Sequence, residues 1–136
     1  MRIGELAALA GTTPRALRHY ESLGLLASRR DANGYRTYDS GDLRLLRQIQ
    51  ALQAFGFGLE ETRPFLDCLR AGHPSGDTCA GSLAMYRDKL AELEACIEEL
   101  SAIRDTVRER LARAERAAPP APPRPLCELT AHRPPA

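Results

Sequence analysis

The sequence lacks any apolar run that approaches the roughly 18 residues needed to cross a membrane. Its first ten residues, MRIGELAALA, also lack the basic segment followed by an apolar segment that is typical of a secretory signal. We therefore expect a cytoplasmic protein with no membrane partner.

The chain also lacks the residue combinations of common enzymes. No phosphate-binding loop, nucleophile–base pair or pair of carboxylates stands in a pocket-forming context, so we do not expect an enzyme. The net charge is only +1, from 19 Lys and Arg against 18 Asp and Glu, and this balance alone does not indicate nucleic-acid binding. Lys89 is the one lysine among these 19 basic residues, and the rest are arginines. Codon bias alone can account for so many arginines, so their number is weak evidence for phosphate binding.

Two short helices are predicted near the N-terminus. Apolar residues three and four apart predict a helix that ends at Gly11, and Thr13 can cap a second helix that ends at Gly24. Helices joined by such a tight turn form a helix-turn-helix. The second one carries four residues suited to the DNA major groove: Arg15, Arg18, His19 and Tyr20. The alternative is a helical hairpin with a solvated charged face.

A β-hairpin, or wing, is predicted next. Asn33-Gly34 is a strong hairpin-turn signal, and residues 25–29 are the expected opposing strand. The wing carries Tyr35, Arg36 and Tyr38, which suit contact with the sugar–phosphate backbone or a minor groove. Two further helices follow, the first capped by Asp39 or Ser40, and we expect three phenylalanines in the core: Phe55, Phe57 and Phe65.

A long amphipathic helix is predicted from Ser82 to Glu115. Its apolar residues step by three and four, and only Arg104 interrupts the row. So narrow an apolar stripe on so long a charged helix needs a partner helix. The alternative is one arm of an intramolecular bundle, but no second helix of matching length is predicted, which favours pairing with a second copy of the chain. The remaining 20 residues, from Ala117, hold seven of the ten prolines, so we expect a disordered tail over 118–136.

Taken together, TTPRALRHYESLGLL, NGYRTY, and DLRLLRQIQALQAFGFGLEE before a long helix resemble the MerR family of bacterial transcriptional regulators. The resemblance covers about residues 1–117. It implies a mainly α fold with a winged helix-turn-helix head (1–70), a linker (71–78) and a long antiparallel coiled-coil dimerisation helix (79–117). It also implies a homodimer that distorts promoter DNA for RNA polymerase. The expected DNA contacts are Thr13, Arg15, Arg18, His19, Tyr20, Tyr35, Arg36 and Tyr38.

Cys79 is the candidate effector residue. It follows plausible cap residues, and the start of a helix favours a thiolate. The resemblance places Cys79 where zinc- and mercury-sensing relatives carry a cysteine and copper-sensing relatives a serine. Those relatives also carry two cysteines directly after the long helix, whereas residues 112–126 of this chain contain no cysteine and no histidine. A zinc or copper site would then need Cys79 of one chain with Cys127 and His132 of the other.

Several alternatives to that metal site remain open. Cys79 can be a redox-sensing thiol, the effector can be a small organic ligand in the dimer crevice, or the protein can be an architectural DNA-binding protein without an effector. We expect Cys68 to be a core or linker thiol and His73 to be a solvated loop residue, and the alternative for His73 is a ligand beside Cys79.

Overall fold

The computed structural model describes residues 1–119 of the chain. Its elements are α1 (Ile3–Ala10), α2 (Pro14–Ser22), β1 (Arg29–Arg30), β2 (Arg36–Thr37), α3 (Ser40–Ala54), a 3-10 turn (Glu60–Thr62), α4 (Arg63–Arg70) and α5 (Ala80–Ala117). This mainly helical architecture, with one two-stranded antiparallel sheet in the described residues, confirms the predicted fold class. From residue 120 on, the predicted tail lies outside the described residues.

The helix-turn-helix forms where the capping signals predict it. The Thr13 hydroxyl accepts a hydrogen bond from the Ala16 N–H at 3.2 Å, and Pro14 occupies the first turn of α2. Leu6 of α1 and Leu17 of α2 are both completely buried. The buried face of α2 is thus fixed against α1, and its opposite face remains exposed.

The wing is held by a network around its turn. The Asp31 carboxylate accepts hydrogen bonds from the backbone N–H groups of Asn33 (2.9 Å) and Tyr35 (3.0 Å), and Gly34 has a φ of 81° that favours glycine. The Tyr35 N–H is the main cause that lowers the pKa of Asp31. In the sheet, Arg29 pairs with Thr37 and Arg30 with Arg36.

The predicted strand at residues 25–29 is wrong except at its last residue. Leu25 and Leu26 are buried, at 0% and 3% exposure, in the core beneath the wing. Two arginines of α4 bind the preceding backbone: Arg63 donates to the Leu23 carbonyl at 2.7 Å, and Arg70 donates to the Leu25 carbonyl. Because the core and α4 hold this segment, pairing begins only at Arg29.

A capping box begins α3 and ties it to the wing. The Asp39 carboxylate accepts from the Asp42 N–H at 3.0 Å, and the Asp42 carboxylate accepts from the Asp39 N–H at 2.8 Å. The first of these bonds lowers the pKa of Asp39, whereas burial raises the pKa of Asp42. The Arg29 guanidinium of β1 donates to both carboxylates.

The first turns of helix α5 pack against the core, whereas the apolar side chains beyond them are exposed. The Cys79 carbonyl accepts the first helical hydrogen bond, from the Leu83 N–H at 3.0 Å. One turn later, Tyr86 contacts the rings of Phe57 and Phe65, with centroids 6.0 and 4.9 Å away. Farther along, the large apolar side chains are exposed: Leu90, Leu93, Ile97, Leu100, Ile103, Val107 and Leu111.

The described residues fall into two compact units. The first is Met1–Leu93, and the second begins at Glu94 and consists of the rest of α5 in its described part. Within residues 1–119, no helix has the length and apolar character needed to span a membrane. Phe57 and Phe65 are buried as predicted, but the prediction for Phe55 is wrong because α3 ends there and leaves its ring 65% exposed.

Candidate functional site

The exposed face of α2 presents a cluster of nitrogen donors. Arg15, Arg18 and His19 are all exposed. Within residues 1–119, neither of the two guanidinium groups forms an ion pair with a carboxylate. Because the opposite face is anchored by Leu17, these donors stand on a fixed helix and remain available to base edges and phosphates.

Thr13 and Tyr20, two other predicted DNA contacts of this region, form hydrogen bonds within the head. The hydroxyl of Thr13 is engaged by the first turn of the helix, as described above. Tyr20 is half-buried against the core, and its hydroxyl donates to the Gln53 side chain of α3 at 3.4 Å. Their contacts with DNA remain predictions.

The wing adds a second group of cationic side chains. An open groove between the start of α1 and the wing is lined by Arg2, Arg30, Tyr35 and Arg36. The Tyr35 ring is 60% exposed, and the Arg2 guanidinium lies 4.4 Å from its centroid. Arg2 and Arg30 were missed from the sequence. The hairpin pattern held a signal for Arg30, because this residue lies opposite Arg36. The sequence held no such signal for Arg2, which only the folded chain brings to the wing.

The base of the wing is joined to α2 through Glu21. The Glu21 carboxylate lies 3.6 Å from the Arg36 guanidinium and accepts a hydrogen bond from the Tyr38 hydroxyl. Burial is the main cause that raises the pKa of Tyr38 to about 12, followed by this hydrogen bond. The recognition helix and the wing are therefore linked by polar contacts as well as through the core.

The structure corrects the expected place of Tyr38, a predicted DNA contact, which lies in the core and not on the exposed surface of the wing. Its ring is 3% exposed and packs in the cluster that contains Leu6 and Leu17. Its backbone N–H donates to the Met1 carbonyl at 2.8 Å, so the N-terminal residues cover the end of the wing. Alternation along the strand could not reveal this cover, because it comes from a distant part of the sequence.

The structure places Cys79 beside Cys68 and His73. A disulfide joins Cys79 to Cys68, with a Cα–Cα distance of 5.9 Å. The donor atoms of both cysteines and a ring nitrogen of His73 lie within 4.8 Å of one another. The other two predicted metal ligands, Cys127 and His132, lie outside the described residues. Cys68 is buried as expected, but its pairing was not foreseen.

Comparison with known proteins gives a consistent picture. Residues 1–67 match the family model described as "MerR HTH family regulatory protein", and residues 43–110 match "MerR, DNA binding". The HTH-type transcriptional regulator ZntR of Escherichia coli K12 is 37% identical over 75% of this chain and 72% of its own. Two nodulation proteins NolA, from Bradyrhizobium elkanii and Bradyrhizobium sp. NC92, are longer, and the match spans 55% and 41% of their lengths.

Two solved structures extend this likeness to three dimensions. PbrR691 of Ralstonia metallidurans CH34, solved with lead(II), has a TM-score of 0.65 and 29% identity over 90% of this chain and 91% of that chain. HiNmlR, a MerR family regulator lacking the sensor domain and bound to promoter DNA, has a TM-score of 0.53 and 27% identity over 82% and 83%. The chain belongs to the MerR family of helix-turn-helix transcriptional regulators, which are DNA-binding proteins and not enzymes.

Proposed function

We propose that this protein binds specific double-stranded promoter DNA as a homodimer and regulates transcription by distorting that DNA when an effector acts on it. The observation that carries the proposal is the exposed set of Arg15, Arg18 and His19 on a helix fixed by Leu17, in which the two arginines pair with no carboxylate of residues 1–119. HiNmlR, a related structure, is bound to promoter DNA and supports the same use of this head. The wing arginines would add contacts to the backbone beside the major groove.

The second copy of the chain would pair along α5. Seven large apolar side chains from Leu90 to Leu111 are between 45% and 67% exposed in the single chain. Exposed apolar residues at coiled-coil spacing gain stability when a second helix covers them. An antiparallel pair would hold two heads apart, so the dimer would read two half-sites of a palindromic promoter.

The regulatory step would use the elasticity of DNA. Contacts at both half-sites can offset several kcal/mol of bending and twisting, so a small change in the dimer alters the shape of the bound promoter. RNA polymerase, the expected partner at the promoter, would respond to that shape. We place the effector step at the thiol of Cys79, where α5 leaves the head, and a thiophilic metal ion such as zinc or copper remains the alternative effector.

The DNA-binding part of this proposal is tested with Arg18→Ala. Binding is measured by fluorescence anisotropy on a DNA duplex selected from random sequences by the wild-type protein. A good side-chain contact to a base contributes about 1–3 kcal/mol, and the homodimer loses the contact in both half-sites. We therefore expect binding to weaken by about 2–6 kcal/mol, which is a loss of affinity of roughly 30-fold to 10,000-fold. The same protein should remain a dimer by sedimentation analysis.

The matched control is Arg108→Ala. Arg108 is an exposed arginine of α5, so this variant removes the same charge outside the proposed interface. It should bind the duplex as the wild type does. If Arg18→Ala and Arg108→Ala bind equally well, α2 is not the reading helix. Wild-type binding that does not weaken as salt rises would contradict DNA binding through phosphates altogether.

A further inference from the structure

A pair of cysteines joins the last turns of the head to the start of the long helix. Cys68 lies near the end of α4, and Cys79 is the residue just before α5. Their Cα atoms are 5.9 Å apart, which is within the range that a disulfide spans without backbone movement. The backbone therefore holds the two sulfur atoms in bonding position.

The two thiols differ in their access to solvent. Cys68 is 2% exposed and packs inside the head, whereas Cys79 is partly exposed beside a groove lined by Pro64, Ala71 and Met85. Cys79 also lies at the N-terminus of α5, where its backbone carbonyl accepts the first helical hydrogen bond and the helix dipole favours a negatively charged group. This asymmetry is typical of an attacking thiol next to a protected resolving thiol.

The segment between the cysteines is fixed to its surroundings by further contacts. The Ser82 hydroxyl donates to the Gly76 carbonyl at 2.5 Å, and the Tyr86 hydroxyl donates to the Asp77 carboxylate at 2.6 Å. Gly76 is buried, and a Cβ atom there would meet the Phe65 carbonyl oxygen at 3.0 Å. These contacts involve no sulfur atom, so we expect them to keep the cysteines near each other when both are reduced.

We infer that Cys68 and Cys79 form a reversible dithiol–disulfide pair through which a hydroperoxide changes the affinity of the head for DNA. The inference rests on the proposed DNA-binding function and adds to it the chemistry of the effector and the second thiol. Because the bond connects α4 to α5, its formation changes the connection between the DNA-binding head and the dimerisation helix. Cys96 is exposed on α5 and forms no disulfide within residues 1–119.

The chemistry balances in two steps. The Cys79 thiolate attacks one peroxide oxygen, the O–O bond breaks, and the released alkoxide or hydroxide takes a proton from water, which leaves a sulfenic acid on Cys79. The Cys68 thiol then attacks that sulfur, so the S–S bond forms, the S–O bond breaks and water leaves. Two thiols lose two electrons and the peroxide gains them. A dithiol reverses the reaction by thiol–disulfide exchange.

The first arm of the test follows the thiols without DNA. The full-length double variant Cys96→Ser/Cys127→Ser is fully reduced, treated with one equivalent of hydrogen peroxide, and digested for peptide mass spectrometry. We expect the Cys68–Cys79 cross-link in most molecules, and complete loss of it in Cys79→Ser and in Cys68→Ala. Persistent free thiols, or bound zinc or copper at one ion per chain that blocks oxidation, would overturn the inference.

The second arm measures DNA affinity in the reduced and oxidised forms of the same double variant. We expect the two forms to differ at least threefold, and the difference to disappear when Cys79→Ser or Cys68→Ala is added. Equal affinity of the two forms would overturn the regulatory part. If reduced wild-type protein binds no selected DNA while the cross-link still forms, the proposed function fails and the thiol chemistry stands.

Discussion

The exposed apolar row of α5 makes a quantitative prediction for Leu100→Asp. Leu100 is 67% exposed in the single chain. Burying a whole leucine side chain contributes about 1.5–3 kcal/mol, so covering two-thirds of it contributes roughly 1–2 kcal/mol. A homodimer contains the residue twice, which doubles the loss to about 2–4 kcal/mol before any cost of burying a carboxylate.

This loss corresponds to a dimer dissociation constant that rises roughly 30- to 1,000-fold. Sedimentation equilibrium over a concentration series, under reducing conditions, measures it directly. The matched control is Ala102→Asp, which places the same charge on the same helix at an exposed position away from the apolar row. Both variants should retain the helical circular dichroism of the wild type at high protein concentration. If Leu100→Asp dimerises as tightly as Ala102→Asp, the apolar row is not the dimer interface.

Two further predictions concern the stability of the head. Phe65→Ala should lower the free energy of unfolding by about 3–5 kcal/mol and the Tm by roughly 10 °C or more, because the Phe65 ring is completely buried. Leu9→Ala, at a 56% exposed position, should change the Tm little. If thermal unfolding shows that both variants lose the same amount of Tm, this placement of the core is refuted. Separately, the free energy of unfolding should fall as pH rises from 10 to 12. Burial raises the pKa of Tyr38 and of Tyr86 to about 12, so the folded chain keeps protons that the unfolded chain releases near 10. Denaturant titrations should show that the free energy of unfolding falls less steeply between pH 10 and 12 in the double variant Tyr38→Phe/Tyr86→Phe. An unchanged pH dependence in this variant would contradict the burial of these hydroxyls.

Local signals in the sequence were sufficient for most of the helices. Thr13, Pro14 and the capping box at Asp39 act within one turn of chain, so their effect could be predicted without the fold. The same holds for Asn33-Gly34, whose turn chemistry is local. The stripe of α5 was predictable because its periodicity extends over many turns.

Contacts between distant parts of the chain were not predictable in the same way. Tyr38 belongs to a strand pattern, and its burial depends on the N-terminal residues that cover it. Phe55 fits the apolar spacing of α3, yet the helix ends there and no other element in residues 1–119 buries it. Cys68 and Cys79 are 11 residues apart with a turn between them, so their approach depends on how α4 and α5 pack.

Lys89 has a consequence for experiments on this chain. It is the one lysine in the sequence, it is 5% exposed, and its ammonium group lies 3.2 Å from Glu61 and 2.9 Å from Glu92. A lysine-specific protease therefore has one cleavage site, inside α5 and covered by the head. The rate of that single cut measures how often the start of α5 opens, and the cut separates the DNA-binding residues from the distal part of the helix. Two bands on a gel would thus report local opening in the reduced, oxidised or DNA-bound protein without a label.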